Sequence, residues 1–287
     1  MIVFDRRAVR IHRDRAAGRI SMHDFLLREI ASRLIERLED VKRDFPVALD
    51  LGCHTGELGH ALRDHDKIEF AVSCDLSPAM VSKAGGPRVA ADEESLPFGK
   101  GSFDLIISLL SLHWVNDLPG TFLQIHSSLK PDGLFLGAML GGQTLKELRQ
   151  ALAEAEIAAE GGLSPRISPF ADVRDAGDLL QRAGFALPVA DSETLTVVYP
   201  DPLKLMTDLR GMGETNATIE RRKSFTRRAT LLDGLARYRS AFENTDGTVP
   251  ATFQVIYLSG WSPHESQPKP LKRGSARTRL ADALGNP

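Results

Sequence analysis

Only Cys53 and Cys74 occur in the 287 residues, which excludes a disulfide-stapled secreted scaffold. Each lies near the end of an apolar run, where a reduced core thiol is expected. No apolar stretch is long enough to span a bilayer, and no secretory hydrophobic segment is present. The net charge of −2 leaves no overall attraction to nucleic acid or to a membrane surface. The eight histidines show neither H-x-D nor H-E-x-x-H spacing, so no dedicated metal site is expected. What remains is ordinary globular composition, 42% apolar and 26% charged, enough for one large domain with an appendage.

Charge is uneven along the chain. The first nineteen residues carry Arg6, Arg7, Arg10, Arg13, Arg15 and Arg19 against Asp5 and Asp14. Those two aspartates, and the lack of serine before Ser21, argue against a mitochondrial transit peptide and for a cytoplasmic protein. Spread around most of a helix from Phe4 to Arg19, the arginines suit a solvated helix, a lid over a ligand, or a docking surface for an acidic partner. The expected organisation is a basic helical segment over 1–45, a main domain over 46–262 and a disordered tail over 263–287. That tail is basic, with Lys269, Lys272, Arg273, Arg277 and Arg279, and too poor in apolar groups to offset its ordering entropy.

The main domain reads as strands alternating with helices. Strands are expected at Val47–Leu51, Glu69–Cys74, Arg88–Ala91, Phe103–Ser108 and Leu134–Leu140. Helices are expected at Glu57–Arg63, Pro78–Lys83, Pro119–Leu129, Thr144–Glu160 and Val173–Ala183. This spacing predicts an α/β, doubly wound, mostly parallel sheet with right-handed crossovers. Ala186–Ala190 and Glu193–Tyr199 read as two strands of an edge hairpin. Helices at Asp201–Arg210 and Thr226–Phe242, then a strand at Thr252–Gly260, complete the domain.

In such a sheet ligands bind beyond the carboxyl ends of the strands. After the first strand come Asp50, Gly52 and Gly56, whose glycines permit a tight turn and close ligand approach. The absence of a lysine and hydroxyl after the second glycine argues against a Walker A loop, and the spacing is not the G-x-G-x-x-G of dinucleotide folds. Asp75 follows the second strand, suited to accept from a ribose diol. Asp92 follows the third, suited to accept from an adenine amine, with Leu96 and Phe98 as apolar cover. The loop Ser111-Leu-His-Trp-Val-Asn-Asp-Leu-Pro119 follows the fourth. There His113 is a candidate base or substrate-orienting group and Trp114 a candidate pocket wall. Each residue also has a plain structural reading as a cap, loop carboxylate or packed ring.

The segment Val47-Ala-Leu-Asp-Leu-Gly-Cys-His-Thr-Gly56 resembles the first motif of class I S-adenosylmethionine-dependent methyltransferases, except that His54 stands where that family has glycine. The resemblance implies a Rossmann-like methyltransferase fold with a seven-stranded sheet and C-terminal helical additions. It also implies S-adenosylmethionine as cofactor, held by Asp50, Gly52, Cys53, His54, Gly56, Asp75, Leu76, Asp92, Glu93 and Leu96. His54 would touch the cofactor through its backbone with the ring pointing away. His113, Trp114 and Asn116 would shape the acceptor site.

Val3-Phe-Asp-Arg6, the Leu-His-Trp-Val-Asn-Asp-Leu-Pro loop, Gly137-Ala-Met-Leu-Gly-Gly142, Leu209-Arg-Gly-Met-Gly-Glu-Thr-Asn216 and His264-Glu-Ser-Gln267 narrow the resemblance. Together they are similar to bacterial relatives of a mitochondrial respiratory complex I assembly factor, over nearly the whole chain. That family is described as hydroxylating an arginine of a complex I subunit despite its methyltransferase motifs. A carrier-protein methyltransferase family of biotin synthesis shares only the core motifs. The expected function is therefore a methyltransferase-type enzyme acting on a protein, with a complex I subunit as partner. Arginine hydroxylation and a non-catalytic assembly chaperone are the alternatives. Neither a nucleic-acid partner nor a membrane span is expected, and the oligomeric state is open.

Overall fold

The computed structural model describes residues 2–268 and Ser275. The N-terminal segment forms two helices, α1 (Arg6–Ala16) and α2 (Phe25–Glu39). Asp5 caps α1, its side chain accepting from the Ala8 amide, as an acidic N-cap should. Then β1 (Val47–Leu51), α3 (Glu57–Arg63), β2 (Phe70–Asp75), α4 (Pro78–Val81), β3 (Arg88–Ala90) and β4 (Phe103–Leu109) alternate. They are followed by α5 (Leu118–Ser128), β5 (Leu129–Leu140), α6 (Lys146–Glu160), α7 (Val173–Arg182) and β6 (Ala186–Tyr199). The described chain closes with α8 (Pro202–Met212), α9 (Arg228–Phe242) and β7 (Val249–Trp261).

The seven strands form one sheet in the order β3-β2-β1-β4-β5-β7-β6. β1 pairs in parallel with β2 and β4, and β5 with β4, while β7 runs antiparallel to both β5 and β6. β4 is buried along its whole length, as a central parallel strand covered on both faces must be. One face packs against α2, α3 and α8 through Ile30, Leu34, Leu58, Leu62 and Leu205. The other packs against α5 and α7 through Phe122, Ile125, Ala176 and Leu180. Segment 1–45 thus shares its core with the domain that follows.

The expected edge hairpin does not form. Residues 186–199 make one strand, paired with β7 from Ala186↔Trp261 to Tyr199↔Val249. The polar Asp191-Ser192 pair suggests a turn, but an edge strand tolerates polar groups on its open face, and Asp191 is ion-paired with Arg37. Lys130–Gly133 is an outward excursion within β5, since Phe103 pairs with Leu129 but Leu105 with Leu134. Asp132 there adopts φ 62°. The expectation of a disordered tail lies, from residue 269 on and Ser275 apart, outside the described residues. Gln267 turns back to donate to Asp132 at 2.9 Å. Among the described residues no helix is long and apolar enough to cross a membrane.

Candidate functional site

The topology brings the ends of β1, β2, β3 and β4 together along one edge, with the switch of strand order lying between β1 and β4. Gly52 turns there at φ 72°, and a Cβ on it would fall 2.1 Å from the Ser111 Cβ. Gly56 turns at φ 96°, its own imaginary Cβ 3.1 Å from the Ala84 backbone. Both positions require glycine. Cys53 is buried, and its amide donates to the Cys74 carbonyl; burial raises its thiol pKa, as it does for Cys74. Asp50 is fully buried with neither carboxylate oxygen hydrogen-bonded. That burial, reinforced by the charges of Glu57 and Asp75, pushes its pKa well up.

His54 sits at φ 48°, a left-handed conformation that costs an L-residue roughly 1–2 kcal/mol. Its ring is completely buried and turns inward, where Nε2 donates to the Leu109 carbonyl at 3.0 Å. Its backbone amide donates to Asp75 Oδ2 at 3.0 Å.

The acidic groups at the strand ends are met by arginines from α1. Arg13 is fully buried, and its Nη1 lies 3.2 Å from Asp75 Oδ2 and 3.2 Å from Glu93 Oε1. Its Nη2 donates to Ser111 Oγ at 3.0 Å. Arg6 pairs with Asp92 at 2.6 Å and also with Glu93. Burial alone would raise the Glu93 pKa, but the two arginines and the Ser111 hydroxyl hold it down at about 2. Asp75 Oδ1 further accepts from the Ser77 amide at 2.7 Å. Leu76 packs beside Trp114, and the Leu96 amide donates to Gln124.

The end of β2 is where the sequence motif leads one to expect a ribose-binding carboxylate, Asp75. In this arrangement Asp75 has no exposed surface, and its oxygens are taken by Arg13, His54 and Ser77. While α1 lies in this position the Asp75 oxygens are not free to accept from a ribose diol.

The loop after β4 faces the opposite wall. His113 Nε2 and Trp114 Nε1 both reach Glu214 Oε2, each at 2.9 Å. Asn116 clamps the N-terminus instead: its Oδ1 accepts from the Val3 and Phe4 amides at 2.7 Å, and its Nδ2 donates to the Phe4 carbonyl. Trp114 and Glu214 line a cavity of about 360 Å³, walled by Leu145, Leu148, Phe170 and Met206 among other apolar groups. The site thus joins a closed acidic cradle to an open apolar pocket.

A family model described as methyltransferase domain matches residues 22–188. The arginine-hydroxylase NDUFAF5, mitochondrial, of Danio rerio is 46% identical over 289 residues, covering 98% of this chain and 89% of that protein. The chain belongs to the NDUFAF5 family of methyltransferase-domain proteins. A malonyl-acyl-carrier-protein O-methyltransferase of Methylovorus is also similar, 36% identical, with 98% of this chain and 94% of that protein covered. Among solved structures, phosphoethanolamine N-methyltransferase 2 of Haemonchus contortus in complex with S-adenosylhomocysteine shares the fold. Its TM-score is 0.56 at 14% identity, covering 89% of this chain and 60% of that one.

In this member of the NDUFAF5 family, sequence reading overlooks four residues at the site: Arg6, Arg13, Ser111 and Glu214. Arg13 was legible in part. Val9, Arg13 and Ala16 fall on one face of a helix, and Val9 and Ala16 mark that face as buried. Glu214 carries no spacing signal. It follows Gly213, whose φ of 86° ends α8 and turns the chain toward the His113 loop.

Proposed function

We propose that this chain is a methyltransferase-type enzyme that modifies an arginine side chain on a protein partner, a subunit of respiratory complex I. In this reading it acts in the cytoplasm, and S-adenosylmethionine is the ligand of its cradle once α1 has withdrawn. The observation that carries the proposal is the apolar pocket lined by Trp114 and Glu214, directly beyond the end of β4, where a doubly wound sheet places the acceptor. Full-length similarity to a protein named arginine-hydroxylase supports arginine as the modified side chain and complex I as the context. Similarity to carrier-protein methyltransferases, and a fold relative bound to S-adenosylhomocysteine, support the cofactor class.

Mass spectrometry of the complex I subunits from wild-type and deletion strains tests this reading. An arginine peptide that loses roughly 16 Da in the deletion strain assigns hydroxylation, and one that loses roughly 14 Da assigns methylation. Identical spectra from the two strains overturn the enzymatic reading and leave assembly chaperoning.

A further inference from the structure

Glu214 is an unusual carboxylate to find beside an apolar pocket. It is 12% exposed at the side chain, and one oxygen, Oε2, takes both donors of the β4 loop, His113 Nε2 and Trp114 Nε1. Among the described residues Oε1 has no hydrogen bond. A carboxylate has about four acceptor positions, so the Oε1 side of this one stays uncommitted to the protein and is open to a ligand. Burial raises its pKa, but His113, Arg13 and His54 more than offset this and keep it ionised.

The surroundings define what can meet that charge. Leu148, Phe170, Met206 and Leu209 supply an apolar wall suited to an aliphatic stem rather than to a hydrated ion. Of the two cationic groups in the lining, Arg166 is ion-paired with Glu156 at 2.6 Å, and Arg210 is exposed. Neither pairs with Glu214, whose protein partners among the described residues are His113 and Trp114 on Oε2 alone. Two donors from a rigid loop hold the carboxylate in place before anything binds, which lowers the ordering cost of binding.

The geometry points to Glu214 as the residue that reads positive charge in the pocket. It accepts from the guanidinium of a substrate arginine while the apolar wall takes the methylene stem. This rests on the arginine reading given above, and adds the group that selects the side chain. His113 and Trp114 are then positioning residues that aim the carboxylate.

Citrulline provides the control, because it keeps the shape of arginine and replaces the charged guanidinium with a neutral ureido group. Binding of acetyl-Gly-Gly-Arg-Gly-Gly-amide and its citrulline counterpart to the full chain is measured by ligand-observed NMR and by tryptophan fluorescence in a Trp261→Phe background, which leaves Trp114 as the reporter. The expected result is about tenfold or greater preference for the arginine peptide, the order of one charge-assisted hydrogen bond. In Glu214→Gln, which keeps the side chain's shape, that preference collapses toward parity with the melting transition retained. Equal binding of the two peptides by the wild-type chain, binding of neither, or an undiminished preference in folded Glu214→Gln overturns the inference. The wild-type NMR comparison depends on no variant. The arginine reading itself fails on a different result, identical subunit spectra from wild-type and deletion strains.

Discussion

The Arg13 guanidinium and the Asp75 carboxylate, sixty-two residues apart in sequence, face each other at 3.2 Å with neither side chain exposed. Their pairing places a cation from α1 where a cofactor's hydroxyls would otherwise meet an acid. On the cofactor reading proposed above, the protein and a nucleoside ligand compete for one carboxylate.

Replacing Arg13 with Ala separates the two consequences of that pairing. Asp75 loses its charge partner inside the fold and Glu93 keeps only Arg6, so stability falls by about 3–5 kcal/mol, as for other broken buried pairs. Binding of S-adenosylmethionine strengthens by about tenfold, because no internal group must be displaced. Urea denaturation measures the first effect and titration calorimetry the second. Weaker or unchanged cofactor binding by a folded Arg13→Ala protein means that Arg13 does not exclude the cofactor.

The two buried acids respond to pH in opposite senses. Glu93 is held at about 2, below its unfolded value, so its contribution is present above about pH 4.5 and is lost as pH falls toward 2. Asp50 has its pKa raised by burial. Its contribution is present below about pH 4 and fades as pH rises through the elevated folded value. Asp50→Asn removes the second dependence while keeping the side chain's size. The variant is expected to gain stability over wild type at pH 7, with the difference shrinking toward pH 4. Urea midpoints at the two pH values provide the check, and a pH-independent difference contradicts the upward shift of Asp50.

The sheet was legible because its signals are local: apolar runs ending in an acid or a glycine turn, separated by helical spacing. Gly52 and Gly56 occupy the turn that their spacing implied, and Asp75, Asp92 and Glu93 stand at neighbouring strand ends. The occupant of those acids was not legible. In sequence the arginine-rich helix left a solvated face, a lid and a docking surface equally open, since a buried guanidinium is stable only when distant carboxylates converge on it, and Arg13 meets Asp75 and Glu93 only after folding. The edge hairpin failed for a related reason, because Asp191 gains its partner Arg37 from a helix more than 150 residues earlier. The acceptor side stayed hidden because Glu214 is joined to His113 and Trp114 across about 100 residues.

Asn116 offers a way to loosen α1 without removing the Arg13 ion pairs. Its side chain accepts from the Val3 and Phe4 amides and donates to the Phe4 carbonyl, and Phe4 in turn packs edge-on against Trp114 at 5.4 Å. Asn116→Ala leaves two partly buried amides without their acceptor, a cost of about 1–3 kcal/mol. That cost falls on the segment that leads into α1, a further bond from Asn116 Nδ2 to Glu94 Oε1 is lost beside Arg6, and Arg13 keeps both of its acids. Opening of α1 should therefore become more frequent with the core intact. Hydrogen exchange is expected to quicken over residues 3–16 and to stay unchanged in β4 and β5. S-adenosylmethionine binding should strengthen in the same direction as for Arg13→Ala but by a smaller factor, since the competing ion pair survives. Unchanged exchange over residues 3–16 would show that Asn116 does not tether α1, and faster exchange with unchanged cofactor affinity would show that α1 does not gate the cradle.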